Sequence, residues 1–325
     1  MPIAATINFF GQDYEIIQES VVLNIAPPPI DVEVLVNRRS DYTAHLGDNL
    51  NYTISYKNNS GVALADMVIT ASLAGEMYNF MSLRTNANID SQTNQLIWNA
   101  ANVPNLRLVD PGSSGEVIFD VGLKNQFPSK RLNDKNFSLK VNIEITSPTV
   151  PYYLAASKTT ALSGIETKVV GLISIDAQAF YRDASAFMLN IGNLPPKVNM
   201  PTQYTIHWII RNYGTDVSNV EARAFLRSGV SWTGQVKSNI DSVPLYNDRT
   251  QEIVWTIPKI NANKGVLSDP IEAVFQISAV PNSTQIGQYQ PLVGPTTLKA
   301  IDDFVGLDLT NADVELTTNL VDDKT

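Results

Sequence analysis

One strand-like phrase occurs twice in the sequence, as LNYTISYKNNSG at residues 50–61 and as TQYTIHWIIRNYG at residues 202–214. In both copies apolar and polar residues alternate, and the run ends at a turn that contains glycine. A two-residue alternation is typical of a β-strand with one buried and one exposed face. The repetition indicates that the chain contains two copies of one β domain.

The repeat extends well beyond this strand. The residue numbers of matching positions differ by 152 to 157, so the two copies differ only by small loop insertions. Because both copies place a tryptophan in an apolar run, we predict that each tryptophan anchors a hydrophobic core. The matching pairs are Tyr52 and Tyr204, Leu73 and Leu226, Trp98 and Trp255, and Phe119 and Phe275.

Similar opening strands recur as DVEVLVNRRS, SIDAQAFYRD and VELTTNLVDD, beginning at residues 31, 174 and 314. A spacing of roughly 140 residues is a common domain size. We therefore predict complete repeats at 31–172 and 173–312. Residues 1–30 would be an N-terminal extension or the last strands of a preceding repeat. Residues 313–325 would be a C-terminal tail or the first strand of a following repeat.

Short alternating runs separated by turn signals continue through the chain, and no long stretch has helical spacing. Seven or eight short strands per repeat predict an all-β chain made of tandem immunoglobulin-like β-sandwiches. The sequence contains no cysteine, which excludes the disulfide of antibody domains, thiolate zinc sites and thiol nucleophiles.

The charge balance and hydropathy exclude further classes of function. With 32 acidic and 23 basic residues the formal net charge is −9, which argues against nucleic acid or an anionic membrane as a partner. Apolar runs stay well short of the ~20 residues that cross a bilayer, so we expect no membrane-spanning segment. Basic residues gather in KNQFPSKRLNDKN at 124–136, which we predict to be a solvated loop.

The sequence offers little material for catalysis. Its two histidines are His45 and His207, and His207 falls on the polar face of its predicted strand, where we expect a solvated side chain. The run GSSGE at 112–116 lacks the spacing of a nucleophile elbow, and a glycine-rich phosphate loop is absent. We therefore predict no catalytic residues and no enzymatic activity.

Calcium is the one cofactor that the sequence leaves open. Asp302, Asp303, Asp308 and Asp313 gather near the end of the second predicted repeat. Hard cations prefer several carboxylate oxygens, and a junction between domains could supply them. The alternative is a solvated acidic hinge, because the spacing is not that of an EF-hand.

Three aromatic residues are candidates for contact with a ligand. Tyr152 and Tyr153 lie in SPTVPYYLA, and Trp232 lies in SGVSWTG. Aromatic side chains that are exposed in loops often anchor binding interfaces. The alternative is that all three pack against their own domain.

Both repeats, from Asp31 to about Asp303, resemble a known family. The segments YTISYKNNSGVALADMVITASL and QLIWNAANVPNLRLVDPGSSGEVIFDVGL resemble the conserved-repeat β-sandwich, the domain of unknown function numbered eleven, of bacterial and archaeal surface proteins. In the second repeat the proline-glycine turn of that pattern is replaced by KGVLSDP at 264–270. The resemblance implies an extracellular position at the cell surface and a role as a stalk, wall or envelope module. It implies no catalytic residue.

Three functions follow from these observations. The first is a structural spacer on a bacterial cell surface, built from rigid sandwiches in series. The second is an adhesin or glycan-binding module that uses its loops. The third is an extracellular filament subunit that assembles by strand exchange between copies. The expected partners are neighbouring repeats, copies of the chain itself, or a surface glycan or protein.

Overall fold

The structure is a computed structural model that describes residues 2–20, 27–320 and 322. Apart from two short 3-10 helices, its regular elements are β-strands, which confirms the all-β prediction. At the N-terminus, β1 (Pro2–Phe9) and β2 (Gln12–Ser20) pair with each other as a two-stranded antiparallel sheet. Within the described ranges, no helix has the length and hydropathy needed to cross a membrane.

A first sandwich follows this hairpin. Its elements are β3 (Ile30–Val36), β4 (Asn49–Asn58), β5 (Leu64–Ala65), β6 (Val68–Ala74), β7 (Tyr78–Thr85), β8 (Asn88–Asp90), β9 (Gln95–Trp98), a 3-10 helix (Pro104–Arg107), β10 (Leu108–Val109), β11 (Ser114–Leu123), β12 (Ser138–Ser147) and β13 (Thr159–Lys168). One sheet has the order β3-β4-β11-β7 and the other the order β13-β12-β6-β9-β8, while β5 and β10 form a small separate ribbon.

The second sandwich is built in the same way. Its elements are β14 (Leu172–Phe180), β15 (Thr202–Tyr213), β16 (Val217–Phe225), β17 (Val230–Ser238), β18 (Leu245–Asn247), β19 (Glu252–Ile260), β20 (Ile271–Ala279), a 3-10 helix (Ser283–Gln285), β21 (Pro291–Val293), β22 (Thr296–Asp302), β23 (Asp308–Asp313) and β24 (Leu316–Thr317). The sheet orders are β14-β15-β20-β17 and β18-β19-β16-β22-β23, and β21 pairs with β24.

The two sandwiches share one strand order, and it is immunoglobulin-like. In the constant-type immunoglobulin fold, the first, second, fifth and fourth strands form one sheet, and the third, sixth and seventh strands form the other. The short ribbon of β5 and β10 is left out of this comparison. In the first sandwich β3, β4, β11 and β7 take the former places and β6, β12 and β13 the latter. In the first sandwich the hairpin β8-β9 extends the second sheet next to β6. In the second sandwich the hairpin β18-β19 extends the corresponding sheet next to β16.

Each sandwich has its own hydrophobic core. One cluster of buried side chains contains residues from Ile30 to Val169, and the other contains residues from Val170 to Leu320. In β4 every second side chain is buried, as the alternation predicts, and Tyr52 stacks on Phe119 with 4.8 Å between ring centroids. The division between the two cores therefore falls between two consecutive residues.

The predicted core anchors Trp98 and Trp255 are fully buried. Each indole N–H also donates to a residue in the connection that precedes the β8-β9 or β18-β19 hairpin. Trp98 Nε1 donates to Asn86 Oδ1 at 2.9 Å, and Trp255 Nε1 donates to Ser242 Oγ at 3.0 Å. Because a buried indole N–H needs an acceptor, the tryptophans hold these loops against their sandwiches.

The two ends of the chain differ from each other. Residues 1 and 21–26 of the predicted first segment, and residues 321 and 323–325 of the predicted last segment, lie outside the described residues. The described part of 313–325 folds back on the second sandwich, where Leu316 and Leu320 are buried in its core. These two side chains therefore belong to the hydrophobic core of the second sandwich.

Candidate functional site

A three-residue linker joins the two sandwiches. Strand β13 ends at Lys168 and β14 begins at Leu172. Within the linker, Val169 is buried in the first core and Val170 in the second. Because Val169 and Val170 are each packed in a core, the peptide bond between them has little freedom to act as a hinge.

The buried carboxylate of Asp302 fixes the linker to the second sandwich. Its Oδ2 accepts hydrogen bonds from Gly171 N at 2.8 Å and from Thr215 Oγ1 at 3.1 Å. Its Oδ1 accepts from the backbone N–H groups of Phe304 and Val305. Because the side chain is fully buried, these four donors replace water as partners of the charge.

The basic loop between β11 and β12 crosses to the second sandwich and forms the other side of the junction. Lys135 Nζ lies 2.7 Å from Asp216 Oδ2, and Asn263 Nδ2 donates to the carbonyl oxygen of Asp134 at 2.8 Å. The backbone N–H of Asn136 donates to the carbonyl of Gly214 at 2.8 Å. The segment is a loop with exposed basic side chains, as predicted, but its contacts with the other sandwich were not foreseen.

The electrostatics of Asp216 follow from this junction. Burial raises the pKa of its carboxyl, but hydrogen bonds from Lys135 and from Ala262 N, with the positive charges of Lys135 and Lys259, outweigh burial. The pKa therefore lies below its ordinary value. The group is ionised at neutral pH and attracts the lysine of the first sandwich.

Gly214 lies where the loop presses closest to the second sandwich. Its φ of +78° lies in the left-handed region, and a Cβ atom at this position would lie 2.6 Å from Cε1 of Phe127. Glycine is thus required both for its backbone conformation and for the approach of the aromatic ring. A second contact at the junction places Lys168 Nζ 4.8 Å from the ring centre of Phe304.

The structure does not bring the four candidate calcium ligands together. The carboxylate of Asp302 accepts a hydrogen bond from the linker residue Gly171. Asp303 accepts a hydrogen bond from Ser218 Oγ and forms an ion pair with Lys259 at 3.3 Å. Asp313 accepts from the backbone N–H groups of Ala177 and Val314, and Asp308 is exposed. Among the described residues, no group of three or more histidine and acidic side chains could hold a metal ion.

The three candidate aromatic residues have different surroundings. Tyr152 is 94% exposed and Tyr153 is 48% exposed, and their rings meet edge to face at the end of the first sandwich opposite the junction. Trp232 instead stacks on Tyr246, with 5.5 Å between ring centroids, and packs against Phe275. Trp232 is half-buried, whereas the tyrosine pair is exposed.

His207 is buried rather than solvated, which corrects the prediction from its polar strand face. Its Nε2 lies 2.6 Å from Asp183 Oδ2 and its Nδ1 lies 2.6 Å from Glu272 Oε1. The loop between β14 and β15 covers this face of the sheet, and Asn190 Nδ2 in the same loop donates to Thr205 Oγ1 at 2.7 Å. The corresponding loop of the first sandwich, between β3 and β4, is shorter. The alternation of apolar and polar residues in β15 does not indicate that a loop covers its polar face.

This cluster is an anchor and not a catalytic triad. Ser185 Oγ donates to Asp183 and makes no hydrogen bond with His207. Burial raises the pKa of Asp183, but hydrogen bonds from His207, Ser185 and the N–H of Ala186 outweigh it and hold the pKa below the ordinary range. The contacts of Asp183 and His207 tie the loop to β15 and β20.

One asparagine of the repeated sequence has the same structural role in both sandwiches. Asn58 and Asn212 are fully buried at the ends of β4 and β15. Asn58 Nδ2 donates to the carbonyl of Val109 at 2.8 Å, and Asn212 Nδ2 donates to the carbonyl of Asn261 at 3.1 Å. The repeated asparagine therefore pins the segment that precedes the fifth strand of each sandwich, a role that the sequence comparison could have suggested.

Comparisons with known proteins show no family. No protein-family model and no curated protein matches the sequence. The C-terminal domain of the antigen I/II-family protein AspA of Streptococcus pyogenes is similar in structure at 11% identity, over 89% of this chain and 99% of that one, with a TM-score of 0.37. The C-terminal domain of the AgI/II polypeptide BspA of Streptococcus agalactiae shares 10% identity over 87% and 98%, with a TM-score of 0.29. Likenesses this low carry no argument about function.

Proposed function

We propose that the chain is a rigid, non-enzymatic spacer in a bacterial cell-surface protein, with 31–172 and 173–312 as its two complete domains. The observation that carries this proposal is the junction. A three-residue linker has its two valines in separate cores, and a loop of the first sandwich is hydrogen-bonded to the second. Such a joint transmits orientation from one domain to the next, as a spacer requires.

Surface placement is supported by the sequence resemblance and by the architecture of all-β domains in series. The acidic surface suits an exposed position, because net charge keeps such a protein from associating non-specifically. The exposed pair Tyr152 and Tyr153 is proposed as a contact of this spacer with a neighbouring protein or glycan.

The rigidity can be measured directly because the chain has no cysteine of its own. We would place spin labels on Glu116→Cys and Asp248→Cys, two exposed positions in different sandwiches, and measure the distance distribution by pulsed electron resonance. A spacer gives one narrow distribution. The same labels with Lys135→Ala and Asn263→Ala added should give a broader one, whereas a broad distribution in the unaltered chain would refute the proposal.

A further inference from the structure

A cleft of about 610 Å³ opens at the end of the second sandwich that is remote from the junction. Three segments form it: Pro195, Pro196 and Val198 in the loop after β14, Pro281, Asn282 and Gln285 to Gln290 between β20 and β21, and Thr318 after β24. The bottom of the cleft is formed by Pro281 and Gln290, which are its buried lining residues. The cleft lies where the loops of an immunoglobulin-like sandwich converge.

Hydrogen bonds between the segments preorganise this cleft. Asn199 N donates to the carbonyl of Pro281 at 2.9 Å, and Gln290 N donates to Thr318 Oγ1 at 2.9 Å. Asn282 and Gln285 form a reciprocal capping box around the short 3-10 helix, which fixes the outer wall. A ligand would therefore find the walls already in place.

The chemistry of the lining is uncharged and rich in amides. In the described part of the chain no charged side chain lines the cleft, although 17% of all residues are charged. Apolar surface comes from prolines and from Ile286, and one aromatic ring comes from Tyr289, which is 64% exposed. The amide side chains are those of Asn282, Gln285, Gln288 and Gln290.

One buried polar atom at the bottom has no partner. Gln290 is 3% exposed, and its Nε2 donates to the carbonyl of Val280 at 3.5 Å. Its Oε1 is buried and has no hydrogen-bond partner among the described residues. Buried acceptors are nearly always satisfied in folded proteins, so this amide oxygen adds a polar group with spare hydrogen-bonding capacity beneath the cleft.

We infer that this cleft binds a neutral carbohydrate. Sugar hydroxyls exchange hydrogen bonds with the amides of Asn282, Gln285 and Gln288, and the ring of Tyr289 packs against the C–H face of the sugar. An anionic or cationic ligand would lack a counter-charge. A peptide that adds as a strand is disfavoured because β21, the nearest strand, already pairs with β24 and bridges Leu226.

Saturation-transfer NMR on the full chain tests this inference. The probes are glucose, galactose, N-acetylglucosamine and their disaccharides, with glucuronic acid and sialic acid as charged counterparts, each at about 5 mM so that millimolar dissociation constants are detected. We expect transfer to at least one neutral sugar and none to the acids. Transfer to none of the neutral sugars, or to the acids alone, overturns the inference.

Variants locate the binding. Tyr289→Ala and Gln288→Ala, both at exposed positions that should not disturb folding, should each weaken binding about tenfold. Gln290→Leu, checked for folding by circular dichroism, should abolish it. Phe10→Ala, which truncates an exposed aromatic ring of the N-terminal hairpin, should have no effect; loss of binding in this variant instead of Tyr289→Ala would place the site elsewhere. The result does not depend on the spacer function, which the distance measurement tests separately.

Discussion

Lys135 Nζ of the first sandwich lies 2.7 Å from Asp216 Oδ2 of the second. Asp216 also accepts a hydrogen bond from Ala262 N at 2.9 Å. One carboxylate of the second sandwich therefore contacts both that sandwich and the loop of the first sandwich that carries Lys135. Its side chain is 17% exposed, whereas that of Lys135 is 37% exposed. The aspartate is therefore the more sensitive partner, because its removal leaves a backbone donor without an acceptor.

From this difference we expect unequal effects of two substitutions. Asp216→Ala should lower the free energy of unfolding by about 1–3 kcal/mol, and Lys135→Ala by less than about 1 kcal/mol. The folded pKa of Asp216 is depressed, so its contribution exists above the ordinary value of 3.8 and is lost as the pH falls through the lower folded pKa. Urea denaturation at pH 7 and pH 3 measures this, and equal losses for Asp216→Ala at both pH values would contradict it.

Gly214→Ala should both destabilise the chain and loosen the junction. The positive φ alone costs about 1–2 kcal/mol, and the contact with Phe127 adds to it because ring and backbone must separate. Gly112→Ala is a matched control, since its φ is +77° and no atom lies within 4 Å of its Cβ position. Gly112→Ala should show only the conformational cost and leave the spin-label distance unchanged. If Gly214→Ala behaved identically, the contact with Phe127 would be unimportant.

The sequence predicted most of the fold and little of the site, for physical reasons. Alternation reveals which face of a strand is apolar, so the buried positions of Tyr52 and Trp98 were predictable. It cannot reveal what covers a polar face, and His207 was therefore placed in solvent. Charge counts likewise do not show that backbone N–H groups surround Asp302, or that the partners of Lys135 lie in another sandwich.

The buried asparagines should be far more sensitive than their neighbours. Asn212→Asp replaces an amide that faces carbonyl oxygens with a carboxylate, which we expect to cost about 3 kcal/mol or more. Asn58→Asp should act in the same way on the first sandwich. Asn59→Asp, at the adjacent exposed position, should change stability by no more than about 0.5 kcal/mol. Thermal unfolding measures all three, and a tolerant Asn212→Asp would show that the repeated asparagine is dispensable.

The anchor around His207 should respond to acid. Because the folded pKa of Asp183 lies below its ordinary 3.8, the carboxylate holds the 183–191 loop at higher pH and releases it as the pH falls through the folded pKa. Amide chemical shifts of this loop should show a step below about pH 3.8. Asp183→Asn should abolish that step, and the exposed control Asp248→Asn should retain it. A step that persists in Asp183→Asn would assign the transition to another group.

Substitution of Asp302 distinguishes a structural role of its carboxylate from a role in calcium binding. Four donors surround its fully buried carboxylate, so Asp302→Asn should lower the free energy of unfolding by about 2–4 kcal/mol by directing an amide N–H₂ at N–H groups. Asp308→Asn, at an exposed position, should cost no more than about 0.5 kcal/mol. Melting the unaltered chain with calcium and then with a chelator completes the comparison. If the acids act through hydrogen bonds, the chelator leaves the melting temperature unchanged. A chelator-dependent decrease that disappears in Asp302→Asn would instead establish a calcium site at the junction.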